Sequence, residues 1–125
     1  MTTFAQRCGI HDMPRALACE QVLKRVVDQG IQRVRVAWCD LHGVLRGKTL
    51  MPHAVADALH EGLSLVSTVM LKDTSDRTAY EVFEPGLADE LPGFGQANNL
   101  LLLADPASFR ILPWAQDTAL SLIHI

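Results

Sequence analysis

The stretch from Val34 to Lys48 constrains the fold more than any other part of the chain, because it sets an alternating strand, a tight Asp/Gly turn and a return strand in one unbroken unit. From Arg33 the period is two, with Val34, Val36 and Trp38 on one face and Arg33, Arg35, Ala37 and Cys39 on the other. Asp40-Leu41-His42-Gly43 has turn chemistry: the aspartate can bond its own backbone and the glycine accepts a positive φ. Val44 to Met51 should therefore return antiparallel, and Pro52 ends the ladder because it has no N–H to donate. The product is a hairpin with Arg46 and Lys48 on its return strand.

Around that hairpin the periods change. Met1 to His11 has none and reads as a loose leader, after which Asp12 can cap a helix that tolerates Pro14 in its first turn and runs to about Gln29. Ala18, Val22, Leu23, Val26 and Val27 supply its apolar face, and Gly30 a left-handed stop. His53 to Glu61 reads as a second helix, with Val55, Ala58 and Leu59 apolar and Gly62 at its end. Leu63 to Leu71 alternates and predicts a third strand. Residues 72–99 hold Pro85, Gly86, Pro92, Gly93 and Gly95 with little period and read as a surface excursion. Leu100 to Ala104 is a short apolar strand stopped at Asp105-Pro106, and Thr118 to Ile125 a final one. Strand, strand, helix, strand predicts an α+β domain, a β-grasp-like small mixed sheet covered by a helix and preceded by an N-terminal helix.

Composition narrows the partners. With 125 residues, 49% hydrophobic and 20% charged, the chain is built for one folded core, not for disorder. Eleven Lys and Arg against 14 Asp and Glu give a net charge of −3, which argues against a nucleic-acid partner. Cys8, Cys19 and Cys39 form no Cys-x-x-Cys pair and no secretory signal precedes them, so reduced thiols in the cytoplasm are expected. No apolar run approaches the roughly 18 residues that cross a bilayer, so no membrane association is expected.

Several residues invite chemistry, each beside a plainer role. Arg46 and Lys48 flank Gly47 and could hold an anion, or could be solvent-facing charges that block an edge strand from pairing. Asp40 could orient a substrate, or simply form the turn. His42, His53 and His60 match no zinc spacing, so no metal site is expected. Gly93-Phe94-Gly95 lacks the third glycine of a dinucleotide loop. Ser64, Ser67 and Ser108 have no histidine at a triad-like position. Asp73, Asp76, Glu81, Glu84, Asp89 and Glu90 form an acidic run that reads as a solvated face, or as a field attracting an amine.

In order, Asp40-Leu41-His42-Gly43, Arg46-Gly47-Lys48, Pro52, Glu61-Gly62, Asp105-Pro106 and Pro113-Trp114-Ala115 resemble the amino-terminal β-grasp domain of the glutamine synthetase family. The resemblance covers roughly Ala16 to Leu120 and implies a family domain over residues 13–120 that follows a leader of residues 1–12. It implies an ATP-dependent ligase of nitrogen metabolism that joins ammonia or an amine to the γ-carboxylate of glutamate through a γ-glutamyl phosphate. In this family the domain docks on the catalytic domain of a neighbouring subunit in a homo-oligomeric ring, so each active site lies between subunits. The hairpin residues Asp40, Gly43, Arg46, Gly47 and Lys48 would serve that contact, with Asp105, Pro106, Pro113 and Trp114 as structural motif residues.

The same resemblance places no catalytic residue and no cofactor on this chain; ATP and Mg2+ or Mn2+ are implied for a full-length enzyme. Substrate contact would fall to Val66, Ser67 and Thr68. Ammonia-using members carry an aromatic residue followed by Asp-Gly-Ser-Ser where this chain has Leu65-Val66-Ser67-Thr68. Val66 in place of that aspartate loses attraction for ammonium and adds apolar wall, which suits a larger amine and points to a γ-glutamylamide synthetase. Residues 121–125 depart from the family's continuation, so the sequence reads as truncated with a non-native end. The alternative is a free-standing β-grasp interaction module without catalysis, pairing a partner through its hairpin edge.

Overall fold

A computed structural model describes residues 1–84, 86, 90–92, 94 and 98–124. Among these, helices α1 (Phe4–Arg7), α2 (Met13–Asp28) and α3 (Val55–His60) accompany strands β1 (Arg33–Cys39), β2 (Leu45–Leu50), β3 (Leu63–Val66), β4 (Asn99–Ala104), β5 (Arg110–Leu112) and β6 (Ala115–His124). The strands follow the order β2-β1-β6-β4-β3, with β5 also paired to β6. Strands β1 and β6 run parallel, Arg33 opposite Thr118 through Ala37 opposite Leu122, while β4 and β5 pair antiparallel with β6. A parallel pair made by the first and last strands, with the hairpin on one flank, is the β-grasp-like arrangement that the order of elements predicts. Strand β2 lies at one end of this strand order among the described residues.

By internal contact the chain divides into two compact units. The first comprises residues 1–38, 47–63 and 102–125. Its core joins Cys19, Val22 and Val26 of α2, Val34 and Val36 of β1, Val55, Ala58 and Leu59 of α3, and Phe109, Ala119 and Ile123. Helix α2 starts as its sequence requires: Asp12 Oδ1 accepts from Arg15 N–H at 2.8 Å, and Pro14 sits in the first turn. Gly30 ends it at φ 62°.

Three local expectations need correction, and one short strand has no counterpart among them. Val27 is 77% exposed, because it lies about 100° around the helix from Val26 and the buried line runs Cys19, Val22, Val26. Residues 1–11 are not uniformly loose: Thr3 and Gln6 form a reciprocal capping box that starts α1, and Phe4 N–H donates to Glu61 Oε2 at 3.1 Å. The third strand stops at Val66, and Ser67–Leu71 is a 3-10 turn that buries Ser67 and, three residues on, Met70 with its neighbour Leu71, a pattern that alternation conceals. Strand β5 is three residues long, too short to show a period.

Residues 121–124, which the sequence sets apart, are part of β6. There Ser121 Oγ donates to the Asp105 carbonyl at 2.9 Å, and Leu122 N–H donates to Ser108 Oγ at 2.7 Å. Ile125 lies outside the described residues.

The second unit comprises residues 39–46 and 64–101. Leu71 and Val82 form a small core of its own, with Leu91 and Phe94 packed against it. A bridge between Lys72 and Thr78 closes a short loop inside the excursion. Pro85, Asp89, Gly93 and Gly95 lie outside the described residues.

Candidate functional site: the hairpin turn and its ion-pair network

In the second unit the Asp40-to-Gly43 turn is built around one carboxylate. Asp40 N–H donates to the Val44 carbonyl and Gly43 N–H to the Asp40 carbonyl, each at 3.0 Å, with Gly43 at φ 76°. Asp40 Oδ1 accepts from the N–H groups of His42 and Val44, both at 2.9 Å. Its other oxygen accepts from Arg46 Nε at 2.9 Å, and the Asp40 side chain is fully buried while that of Arg46 is 23% exposed. Arg46 Nη1 donates in turn to Asp76 Oδ1 at 2.9 Å.

Asp76 sits in a loop shaped by Asp73, whose Oδ1 accepts from the N–H groups of Ser75 and Arg77. Lys72 Nζ donates to the Asp76 carbonyl at 3.0 Å, and Asp76 itself takes a positive φ of 61°. Arg46 is thus a clamp between two carboxylates. Its Nε and Nη1 donors are committed within the chain, which removes it from the anion site that the Arg-Gly-Lys spacing suggests. Two residues of the acidic run, Asp73 and Asp76, shape or anchor a loop.

The network fixes the electrostatics of its members. Burial opposes the charged form of Asp40, but the N–H groups of Val44 and His42, with Arg46, outweigh it and hold the carboxyl below the usual carboxylate range. The hydrogen bond to Asp40 raises Arg46 in the opposite direction against its own desolvation, and Asp76 adds to the rise. Because the folded value of Asp40 lies below the unfolded value of about 3.9, its contribution to stability is complete above that pH and disappears as pH falls through the depressed value. Denaturant titrations between about pH 2 and 6 should therefore show Asp40→Asn losing less stability on acidification than the parent chain; parallel curves would contradict this role.

The other site residues are dispersed. Val66 is 37% exposed, whereas Ser67 is buried, with its N–H donating to the Asn98 carbonyl at 2.7 Å and its Oγ without a partner among the described residues. Thr68 is partly buried. Of the three, Val66 offers the most open surface to a ligand. A buried hydroxyl without a partner contributes nothing that offsets its desolvation, so Ser67→Ala should leave stability unchanged or raise it by about 1 kcal/mol in urea titration.

In the first unit Asp105 Oδ1 accepts from Ala107 N–H at 3.0 Å and opens the 3-10 turn Pro106–Ser108. The Asp105 carbonyl accepts from both Ser108 Oγ and Ser121 Oγ, and Pro106 is buried. Pro113 and Trp114 form the turn between β5 and β6, where Trp114 is 80% exposed and not a core residue. Gly47 lies against the backbone of Val36 and Ala37, while Lys48 is exposed on β2.

Arg15 escaped the sequence reading: its Nη2 donates to the carbonyls of Leu59 and Ala104 at 2.9 and 3.0 Å, tying α2 to the end of α3 and to β4. Nothing in its spacing marks it. Among the described residues no group of three or more His, Cys, Asp or Glu could hold a metal ion, and no helix is long and apolar enough to cross a membrane.

The described elements form an α+β, β-grasp-like domain. No family model matches the chain. Over 104 residues it is 29% identical to a gamma-glutamylanilide synthase from an Acinetobacter species, a match covering 81% of this chain and 21% of that relative. Over 90 residues it is 30% identical to type-1 glutamine synthetase 2 of Dictyostelium discoideum, covering 72% of the chain and 16% of the relative. Two solved structures, a GmaS/ADP complex and apo GmaS without ligand, share the fold with TM-scores of 0.59 and 0.56 at 22% identity. They are matched over 82% and 81% of this chain, which spans 19% and 20% of theirs. The chain belongs to the glutamine synthetase family and corresponds to its amino-terminal part, about a fifth of the length of the relatives it matches.

Proposed function

We propose that this segment is the amino-terminal β-grasp portion of an ATP-dependent glutamate–amine ligase whose amine is larger than ammonia. The observation that carries the reading is Val66, half-open at the end of β3 where ammonia-using members of the family carry an aspartate. A valine there offers apolar surface and no charge, which favours an amine with a hydrocarbon body over ammonium. The similarity to a gamma-glutamylanilide synthase, whose name specifies an aromatic amide product, supports the same direction.

In this reading the hairpin turn, held rigid by Asp40 and Arg46, presents Leu41, Val44 and Leu45 to the catalytic domain of a neighbouring subunit in a homo-oligomer; all three are exposed here. ATP and its divalent cation are proposed for the catalytic domain of the full-length enzyme. The location is proposed to be cytoplasmic.

The test is amine selectivity of a full-length ligase carrying this segment. With glutamate and ATP, aliphatic or aromatic amines should be used in preference to ammonia, and Val66→Asp should raise the ammonia-to-amine ratio of kcat/KM on the order of tenfold. A parent enzyme that prefers ammonia overturns the amine assignment, and the absence of any ATP-dependent glutamate ligation overturns the activity itself.

A further inference from the structure

A cleft of about 300 Å³ in the first unit lies between α2 and the segment from Pro106 to Arg110. Ala18, Gln21 and Arg25 form one wall, Pro106, Phe109 and Arg110 the other, and no acidic side chain lines it. Both arginines are oriented by the same residue. The Arg25 guanidinium lies 5.0 Å over the Phe109 ring centroid. Arg110 Nη1 donates to the Phe109 carbonyl at 3.1 Å and the Ala107 carbonyl at 3.3 Å. Phe109 is only 2% exposed, so the ring under Arg25 is fixed by the core, and Arg110 is held by the backbone carbonyls beside it.

Unlike Arg33 and Arg46, which pair with Asp117, Asp40 and Asp76, neither Arg25 nor Arg110 forms an ion pair with a carboxylate among the described residues. Two oriented guanidiniums without counter-charges, beside a glutamine amide in a concave site, cost little further ordering when an anion enters.

The geometry points to a binding site for a small phosphate-bearing anion, held by Arg25 and Arg110 with Gln21 as a further donor. A phosphate ester carries close to two charges at neutral pH and three acceptor oxygens, enough to serve two forked cations at once. A single carboxylate has one charge and two oxygens, which one arginine already saturates.

The experiment is titration of the 125-residue chain with inorganic phosphate at constant ionic strength, followed by the arginine Nε–H resonances and by calorimetry. Saturable binding is expected, weakened about tenfold in Arg25→Gln and in Arg110→Gln and unchanged in Arg33→Gln. Arg110→Gln leaves the Arg25 stack on Phe109 in place, so it carries the test if loss of that stack unfolds Arg25→Gln. Absence of saturation, an equal response to chloride, or unaltered affinity in Arg110→Gln would overturn the site. Tighter binding of succinate than of phosphate would overturn the phosphate assignment.

Discussion

Replacing Leu59 by alanine is expected to destabilise the fold by about 3 kcal/mol. Leu59 is 1% exposed on α3 and lines, with Val22, Val34, Val36, Val55 and Phe109, an interior space of only about 10 Å³. Neighbours already this close cannot collapse far into the volume a truncated side chain leaves, so the cavity adds to the lost transfer free energy. The bond that Arg15 Nη2 donates to the Leu59 carbonyl is kept in the variant, so the measurement isolates the side chain. Urea denaturation checks the value, with Leu59→Met as a volume-conserving control costing under about 1.5 kcal/mol. A loss below 1 kcal/mol for the alanine would mean that α3 does not close the core described above.

Gly47→Ala is expected to cost about 2 kcal/mol by the same measurement, for a different reason. Gly47 does not take a positive φ, so its backbone would accept alanine, and the stiffer unfolded chain would favour the variant by about 0.4–1 kcal/mol. Contact reverses the sign. A β-carbon built there lies 2.6 Å from the Val36 carbonyl oxygen and 3.4 Å from Ala37 Cα, both backbone atoms of the neighbouring strand that no rotamer change can move. The strands must separate, and the overpacking outweighs the entropic gain. If Gly47→Ala matches or exceeds the parent in stability, β2 sits farther from β1 than described.

The elements with a strong local period were legible in the sequence: the cap and length of α2, the alternation of β1, the glycine ends of both longer helices and the turn chemistry of Asp40 all have short-range causes. What escaped was short or non-local. A four-residue helix and a three-residue strand hold too few positions to display a period, and Ser67–Leu71 alternates in sequence while turning in space. At the site, Asp40 as a turn former follows from residue type, but its buried pairing with Arg46 and the onward reach to Asp76 join segments that no spacing rule connects. The stacking of Arg25 on Phe109 was invisible for the same reason: Phe109 is remote from α2 in the chain.

The parallel ladder between β1 and β6 has a kinetic corollary. Arg33 of one pairs with Thr118 of the other, so a nascent chain leaving the ribosome cannot complete the sheet until β6 has emerged. Until then β1 waits with an unpaired flank, exposed to wrong neighbours, and high contact order should make the closing step slow. Chaperone dependence during expression is the practical signature of such a topology.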